Sequence, residues 1–315
     1  MMANLSGLKS NLGEKRMENN RIYLYGMILL TKSLLLKDQV IRPDEYHEAE
    51  KMYLLPGGET GTCGTVLASL GCEVVLDGNY MGKNTYGPIC DFYHKRGVDT
   101  SLLTYKPDED GLEDFVIISG KDRTIFGRFE DFYSQTNDRW NVPREQDIIG
   151  SAAVGIDPFF GEECQVAAEI CVKNKIPYVT IDCPPDSYLC QHAAIAAISG
   201  EYLRENYAGK EREEVFAQYM QNMDGLLVFT GGGGEVLYGR KDGPVKTRKA
   251  YQVKVKSTLG AGDTFKAGCI YAVSKHMDDD KAVQFACACA SSACMEYPIP
   301  LYPPTMERIE TLINS

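Results

Sequence analysis

With 315 residues, 44% hydrophobic and 24% charged, the chain is long enough to bury a substantial core and too apolar for wholesale disorder. A net charge of −11 and a pI near 5.0 exclude a broad basic face, and with it a nucleic-acid or anionic-membrane partner. Small anionic ligands stay open, because backbone amides bind phosphate locally whatever the total charge.

Residues 1–20 are polar, lack the apolar core of a signal peptide, and read as a mobile tail. The run 22–30 is continuously apolar and predicts a strand buried in a parallel sheet. Its extension to Leu36 is interrupted by Lys32 and too short for a membrane span. A polar, alternating stretch leads to Leu55, then Pro56-Gly57-Gly58. Small and apolar residues at helical spacing predict a helix over 60–70, ended by Gly71. A strand over 73–76 and a helix over 84–96, stopped by Gly97, come next.

The rhythm then changes. Residues 114–119 and 123–128 are β-rich and flank Ser119-Gly120-Lys121-Asp122, a hairpin signal. Strand and helix alternate again with a strand over 148–156, a helix over 162–174, and strands over 178–181 and 193–198. A helix over 200–207, a strand over 226–230 and a β-rich piece over 235–255 follow. The chain ends in helices over 263–275, 279–297 and 305–313. This order predicts one doubly wound α/β domain over 21–315, its mostly parallel sheet covered by helices on both faces. The two interruptions, 31–55 and 98–135, read as a small β-sheet lid rather than a second domain.

The eleven cysteines are odd in number and scattered through apolar segments, so they form no disulfide framework. Reduced thiols in a cytoplasmic protein are expected. Cys287 and Cys289 sit in a run of small helical residues with no second pair at ligand spacing, which favours packing over zinc.

The sharpest chemical signal is Ser257-Thr258-Leu259-Gly260-Ala261-Gly262-Asp263-Thr264-Phe265. Two glycines around an alanine let the backbone turn tightly and present successive N–H groups. The helix that follows adds its unpaired amides and positive dipole end. That is an anion hole suited to a transferring phosphoryl group, with Asp263 placed to take a proton from an attacking hydroxyl. A plain N-cap is the competing reading, but a cap requires no glycine pair before it.

These residues resemble the C-terminal signature of the ribokinase-like (PfkB) carbohydrate kinases. Gly57-Gly58 with Thr62, Leu67 and Leu70-Gly71 resembles that family's N-terminal glycine motif. Gly97-Val98-Asp99-Thr100 resembles its entry into the lid, and 227–232 its nucleotide-side strand and turn. Residues 286–290 resemble the late helix beside adenine. GGETGTCGTVLASLG and TLGAGDTF look most like the ketohexokinase branch.

The resemblance implies ATP-dependent phosphorylation of a hydroxyl on a small sugar or sugar-like acceptor, with Mg²⁺ on the phosphates. Asp263 would be the base, and Gly260, Ala261 and Gly262 would stabilise the transferring group. Gly57 and Gly58 would lie beside the acceptor, with Thr31, Glu59, Thr62 and the lid residue Arg123 as further candidates. Thr230, Gly232, Thr258 and Cys287 would border ATP. No protein metal ligand is assigned.

Several positions depart from the family pattern. Thr31 stands where an acceptor-binding Asp is usual, and Thr62 where the family has Asn. Ser257 replaces an acidic residue linked to a monovalent cation, so such activation is not carried over. Ser199-Gly200-Glu201-Tyr202 keeps neither residue of the Asn-x-x-Glu element in register. A nucleoside kinase of the same fold and a non-catalytic metabolite-binding homologue are the alternatives. Relatives pair through the lid, which leaves a lid homodimer open. Asp157-Pro158 and Asp182, each after a strand, read as turn chemistry. The four glycines 231–234 read equally as a ligand approach or a hairpin turn.

Overall fold

In the computed structural model, which describes residues 19–37, 42–120, 122–134 and 139–315, the first apolar run is divided in two. Strand β1 (Arg21–Gly26) and strand β2 (Leu29–Leu36) belong to different sheets. The single strand expected over 22–30 is therefore corrected, and the cause lies far away in sequence. The Met27 amide donates to the Asp157 carboxylate at 2.8 Å and the Ile28 amide to the Asn79 side-chain oxygen at 2.7 Å. With both amides drawn to side chains, the ladder breaks and the chain turns. Residues 1–18 of the expected tail, and Lys121 of the expected hairpin turn, lie outside the described residues.

The chain continues through β3 (Ala49–Gly57), α1 (Glu59–Ser69), β4 (Glu73–Gly78), β5 (Met81–Gly82) and α2 (Tyr86–His94). Then come β6 (Tyr105–Lys106), β7 (Glu113–Ser119), β8 (Asp122–Gly127), α3 (Phe129–Ser134) and α4 (Glu145–Ile148). Strand β9 (Ala153–Ile156) follows α4, so the strand expected over 148–156 is only half strand. Gly150, at φ 83°, separates the two elements.

Next are α5 (Glu162–Asn174), β10 (Tyr178–Ile181), α6 (Tyr188–Gln191), β11 (Ile195–Ile198) and α7 (Gly200–Asn206). Helix α8 (Arg212–Met220) occupies a stretch where the sequence suggested no element, and it buries Val215, Phe216 and Tyr219. Strands β12 (Leu226–Phe229), β13 (Glu235–Gly239) and β14 (Lys246–Lys249) precede three helices. These are α9 (Ala261–Ser274), α10 (Asp279–Cys294) and α11 (Met306–Ile313).

The main sheet runs β14-β13-β12-β11-β10-β9-β1-β4, parallel except for the antiparallel edge β12-β13-β14. Side chains of β1 alternate between two cores. Ile22 and Leu24 face Val66, Leu67 and Ile270 on one side, while Tyr23 and Tyr25 face Ala167, Ala168 and Cys171 on the other. Burial on both faces is why the strand reads as an unbroken apolar run. Each large side chain fully buried there stabilises the fold by about 1.5–3 kcal/mol.

A separate sheet, β3-β2-β7-β8, stands over the carboxyl ends of β1 and β9. Its inner pair, β2 and β7, is parallel, with Thr31 opposite Asp114. All eleven cysteines are unpaired, nine of them buried, and Cys287 and Cys289 pack within α10. No helix among the described residues is long and apolar enough to cross a membrane.

Candidate active site

Strand β9 ends at Ile156, and the next residue, Asp157, lies at the carboxyl end of the sheet, where open α/β folds commonly bind ligands. Asp157 is fully buried. One carboxylate oxygen accepts from the Met27 amide and from the Thr60 hydroxyl, both at 2.8 Å. The other is ion-paired with the ammonium of Lys266, which projects from α9 and is equally buried. Asp157 was expected as turn chemistry; it is instead the anchor that joins β1, α1 and α9. Gly26 makes room for it, since a Cβ there would sit 2.0 Å from an Asp157 oxygen.

Burial works against the Lys266 charge, but Asp157 outweighs it and holds the ammonium above its ordinary value. Asp182, by contrast, stays a turn residue: it has φ 38° and accepts the Ser199 amide at 2.6 Å.

Above this pair, helix α9 starts one residue into the glycine turn. Gly260 is its N-cap in the left-handed region, φ 76° and ψ 8°, and no side chain caps the helix. The Gly260 carbonyl accepts both the amide and the hydroxyl of Thr264, at 2.9 and 2.8 Å. The first-turn amides of Gly262 and Asp263 thus have no side-chain acceptor, and Gly262 faces open space. A helix end of this kind attracts anions.

The half-buried Asp263 carboxyl is pushed up to about 6. Burial is the main cause and the Asp157 charge the second; Lys266, the Thr62 hydroxyl and Arg123 pull the other way.

Asp263 and Gly260 open onto a cleft of about 190 Å³. Helix α1 supplies Glu59 and Thr62, entered through Gly57 and Gly58. Gly58 has φ 82°, and a Cβ on it would approach the Met27 carbonyl oxygen to 2.5 Å. That carbonyl is already held by the Thr60 and Gly61 amides at 3.1 and 3.3 Å. The small sheet forms the roof with Thr31, Ser33 and Asp114, and Tyr297 and Ile299 close one side. Glu59 Oε2 and Asp114 Oδ1 are buried without a hydrogen-bond partner. Burial raises both carboxyls, Glu59 well above the carboxylate range and Asp114 to about 6.

The structure therefore gathers Thr31, Gly57, Gly58, Glu59, Thr62, Gly260 and Asp263 around one cleft, with Ala261 and Gly262 continuing from it into α9. Arg123 and Thr258 meet at its rim, the arginine donating to the threonine hydroxyl at 2.7 Å. Arg123 is exposed, as a hairpin arginine should be, yet it ties the small sheet to the glycine turn.

Ala261, Gly262, Arg123 and Thr258 are not in the lining itself, and three further candidates are also absent from it. Thr230 and Gly232 belong to the β12–β13 turn, where the Gly234 amide donates to the Gly231 carbonyl at 3.1 Å, and Cys287 is buried inside α10. Lys266, Asp114, Ser33 and Tyr297 were not foreseen. Only Lys266 left a trace, as a lone charge in the apolar face of the helix after Asp263.

Chemically, the cleft offers an anion-attracting helix end, a carboxylate beside it, and a mostly apolar chamber with a few carboxyls and hydroxyls. The family model "pfkB family carbohydrate kinase" matches residues 25–297. A 5-dehydro-2-deoxygluconokinase of Bacillus licheniformis is 24% identical over 296 residues, 83% of this chain and 90% of that protein. Among solved structures, a provisionally labelled ribokinase from Agrobacterium tumefaciens aligns with a TM-score of 0.83 at 18% identity, covering 94% of this chain and 98% of the other. Arabidopsis thaliana ribokinase, solved with ribose and ATP, aligns at 0.75 with 14% identity over 94% and 99%.

Proposed function

The chain belongs to the PfkB family of carbohydrate kinases, phosphotransferases that act on a hydroxyl, and from that premise we propose that it passes the γ-phosphoryl group of ATP to a small sugar or sugar-like acceptor, with Asp263 as base. One observation carries the reading. The Asp263 carboxylate and the uncapped start of α9 open on the same chamber as Gly57 and Gly58.

The acceptor hydroxyl would lie near Gly57 and Gly58 and hand its proton to Asp263 as its oxygen attacks the γ-phosphorus. The new O–P bond forms as the bond to the β-phosphate oxygen breaks, and ADP leaves. The amides of Gly262 and Asp263 face the negative charge on the equatorial oxygens, in fixed positions that need no reorganisation. Magnesium would offset charge on the nucleotide phosphates. It binds with few protein ligands, and among the described residues no three metal-ligating side chains converge. Thr230 and Gly232, at the carboxyl end of β12, are proposed to border the nucleotide. The roof sheet is proposed to act as a lid that excludes water. ATP consumption with Mg²⁺, screened over sugars, sugar alcohols and nucleosides, tests the reading; no consumption with any acceptor would sink it.

The base must be ionised to work. Because its carboxyl is raised to about 6, kcat/KM is expected to be level above pH 7 and to fall about tenfold per unit below pH 6. A profile flat down to pH 5 would remove Asp263 from this role.

Arg123 makes a direct polar tie between the roof sheet and the glycine turn. Arg123→Ala is expected to raise the acceptor KM two- to tenfold, the effect of one exposed hydrogen bond of about 0.5–1.5 kcal/mol. It should also increase ATP hydrolysis without transfer. Unchanged KM and coupling would show that the tie plays no part in closure.

A further inference from the structure

Most of the acceptor chamber's lining is apolar side chain and glycine backbone; its polar groups are carboxyls and hydroxyls, and among the described residues it holds no lysine, arginine or histidine. Strand geometry explains the roof. Thr31 and Ser33 point inward from β2, and Asp114, in register with Thr31 across the parallel β2–β7 pair, points inward from β7. Lys32 falls between them on the outer face, paired with Glu113 at 3.4 Å and exposed.

Other nearby cations are committed elsewhere. Lys266 is sealed beneath the floor on Asp157, and Arg123 is held at the rim by Thr258. Glu59 Oε2 and Asp114 Oδ1 have no donor at all. The two carboxyls lie in separate parts of the chamber: Glu59 feels Asp263 and Asp157, whereas Asp114 sits by Thr31 and Tyr297. Burial raises both; no cation opposes it at Asp114, and Lys266 offsets it only in part at Glu59.

We infer that the acceptor presents hydrogen-bond donors to the lid, as hydroxyls or an ammonium group, and carries no anionic group there, with Asp114 as the residue that reads this end. The inference deepens the phosphotransferase reading and rests on the same chamber. An ionised carboxylate can only accept hydrogen bonds, so above about pH 6 the orphaned Asp114 oxygen asks for a donor and repels a second anion. This separates the chain from its Bacillus licheniformis relative, whose name denotes a sugar acid as substrate. The linear position at which the family carries an acceptor-binding acid holds Thr31 here. Its cross-strand neighbour Asp114 supplies a carboxylate to the same roof.

The test uses two matched sets that differ only in the end group: glucitol, glucamine and gluconate, and glucose, 6-amino-6-deoxyglucose and glucuronate. Binding to the full chain is measured by calorimetry without nucleotide, and phosphorylation separately with ATP and Mg²⁺. In at least one set the amine is expected to bind on the order of ten- to a hundredfold more tightly than the acid, with the neutral compound between them. Asp114→Lys should reverse the order, and Asp114→Asn should shrink the amine-to-acid ratio about tenfold or more.

Tighter binding of the acids, equal binding across each set, or no binding by any of the six overturns the inference, and the native chain alone decides this should a variant fail to fold. Charge-ordered binding without any phosphoryl transfer would uphold it while sinking the kinase reading. Efficient transfer to the acids would do the opposite.

Discussion

Asp263→Asn is expected to lower turnover by about 10²–10⁴-fold while leaving the fold and nucleotide binding close to native. Asparagine keeps the size of the side chain and its place in the first turn of α9 but cannot take a proton. The glycine turn, the Gly260 N-cap and the contacts from Gly260 to Thr264 do not involve the lost charge. The backbone carbonyl of Asp263, which accepts from the Cys63 thiol at 3.2 Å, is also untouched. Removing a half-buried carboxylate whose ionisation is already disfavoured should cost little stability, and relief from the neighbouring Asp157 charge works in the same direction. Single-turnover phosphorylation, ATP binding and thermal unfolding on one preparation would check all three parts. Undiminished turnover would end the case for Asp263 as base. Lost turnover together with lost structure would leave that case unsupported.

Lys266→Met is expected to lower stability by about 3–5 kcal/mol, a fall of roughly 5–15 °C in Tm. Methionine fills the channel of the lysine side chain but strands the fully buried Asp157 without its cation. The Met27 amide and Thr60 hydroxyl still reach one Asp157 oxygen, but a single buried charge with two neutral donors is a poor substitute for an ion pair. Asp157→Asn added to Lys266→Met should recover much of the loss, because a neutral pair carries no stranded charge. The substitution should also move the acidic fall of kcat/KM to higher pH, since Lys266 is one of the charges that hold the Asp263 carboxyl down. A single variant melting within a degree or two of the native protein would show that the pair is not required for stability.

Much of the α/β scaffold could be read directly from residue order. Strand β1 announces itself because both its faces are covered, and the glycine turn before α9 announces itself because few backbones need that composition. What escaped was set by partners distant in sequence. The break after Gly26 depends on Asn79 and Asp157, neither of which marks residues 27 and 28 in advance. Asp114 reads as one polar residue in a β-rich run, and only the parallel register with β2 turns it toward the cleft. Lys266 is a single charge on an apolar helix face and was passed over, because its acid lies at the end of a strand whose extent was misjudged. Helix α8 hid in a polar stretch because its buried side, Val215, Phe216 and Tyr219, is narrow.

The parallel pairing of β2 with β7 has a consequence for how the molecule comes together. Strand β3 lies a short connection away from β2, but β7 must return past α1, β4 and α2 before it can dock. The entropy of closing that long span is charged before any ladder bond repays it. Completion of the roof therefore belongs to the slow end of assembly, after α1 and the first parallel strands have given β7 something to return to. A nascent chain halted before residue 113 would hold the glycine pair but lack half of its ceiling and all of helix α9.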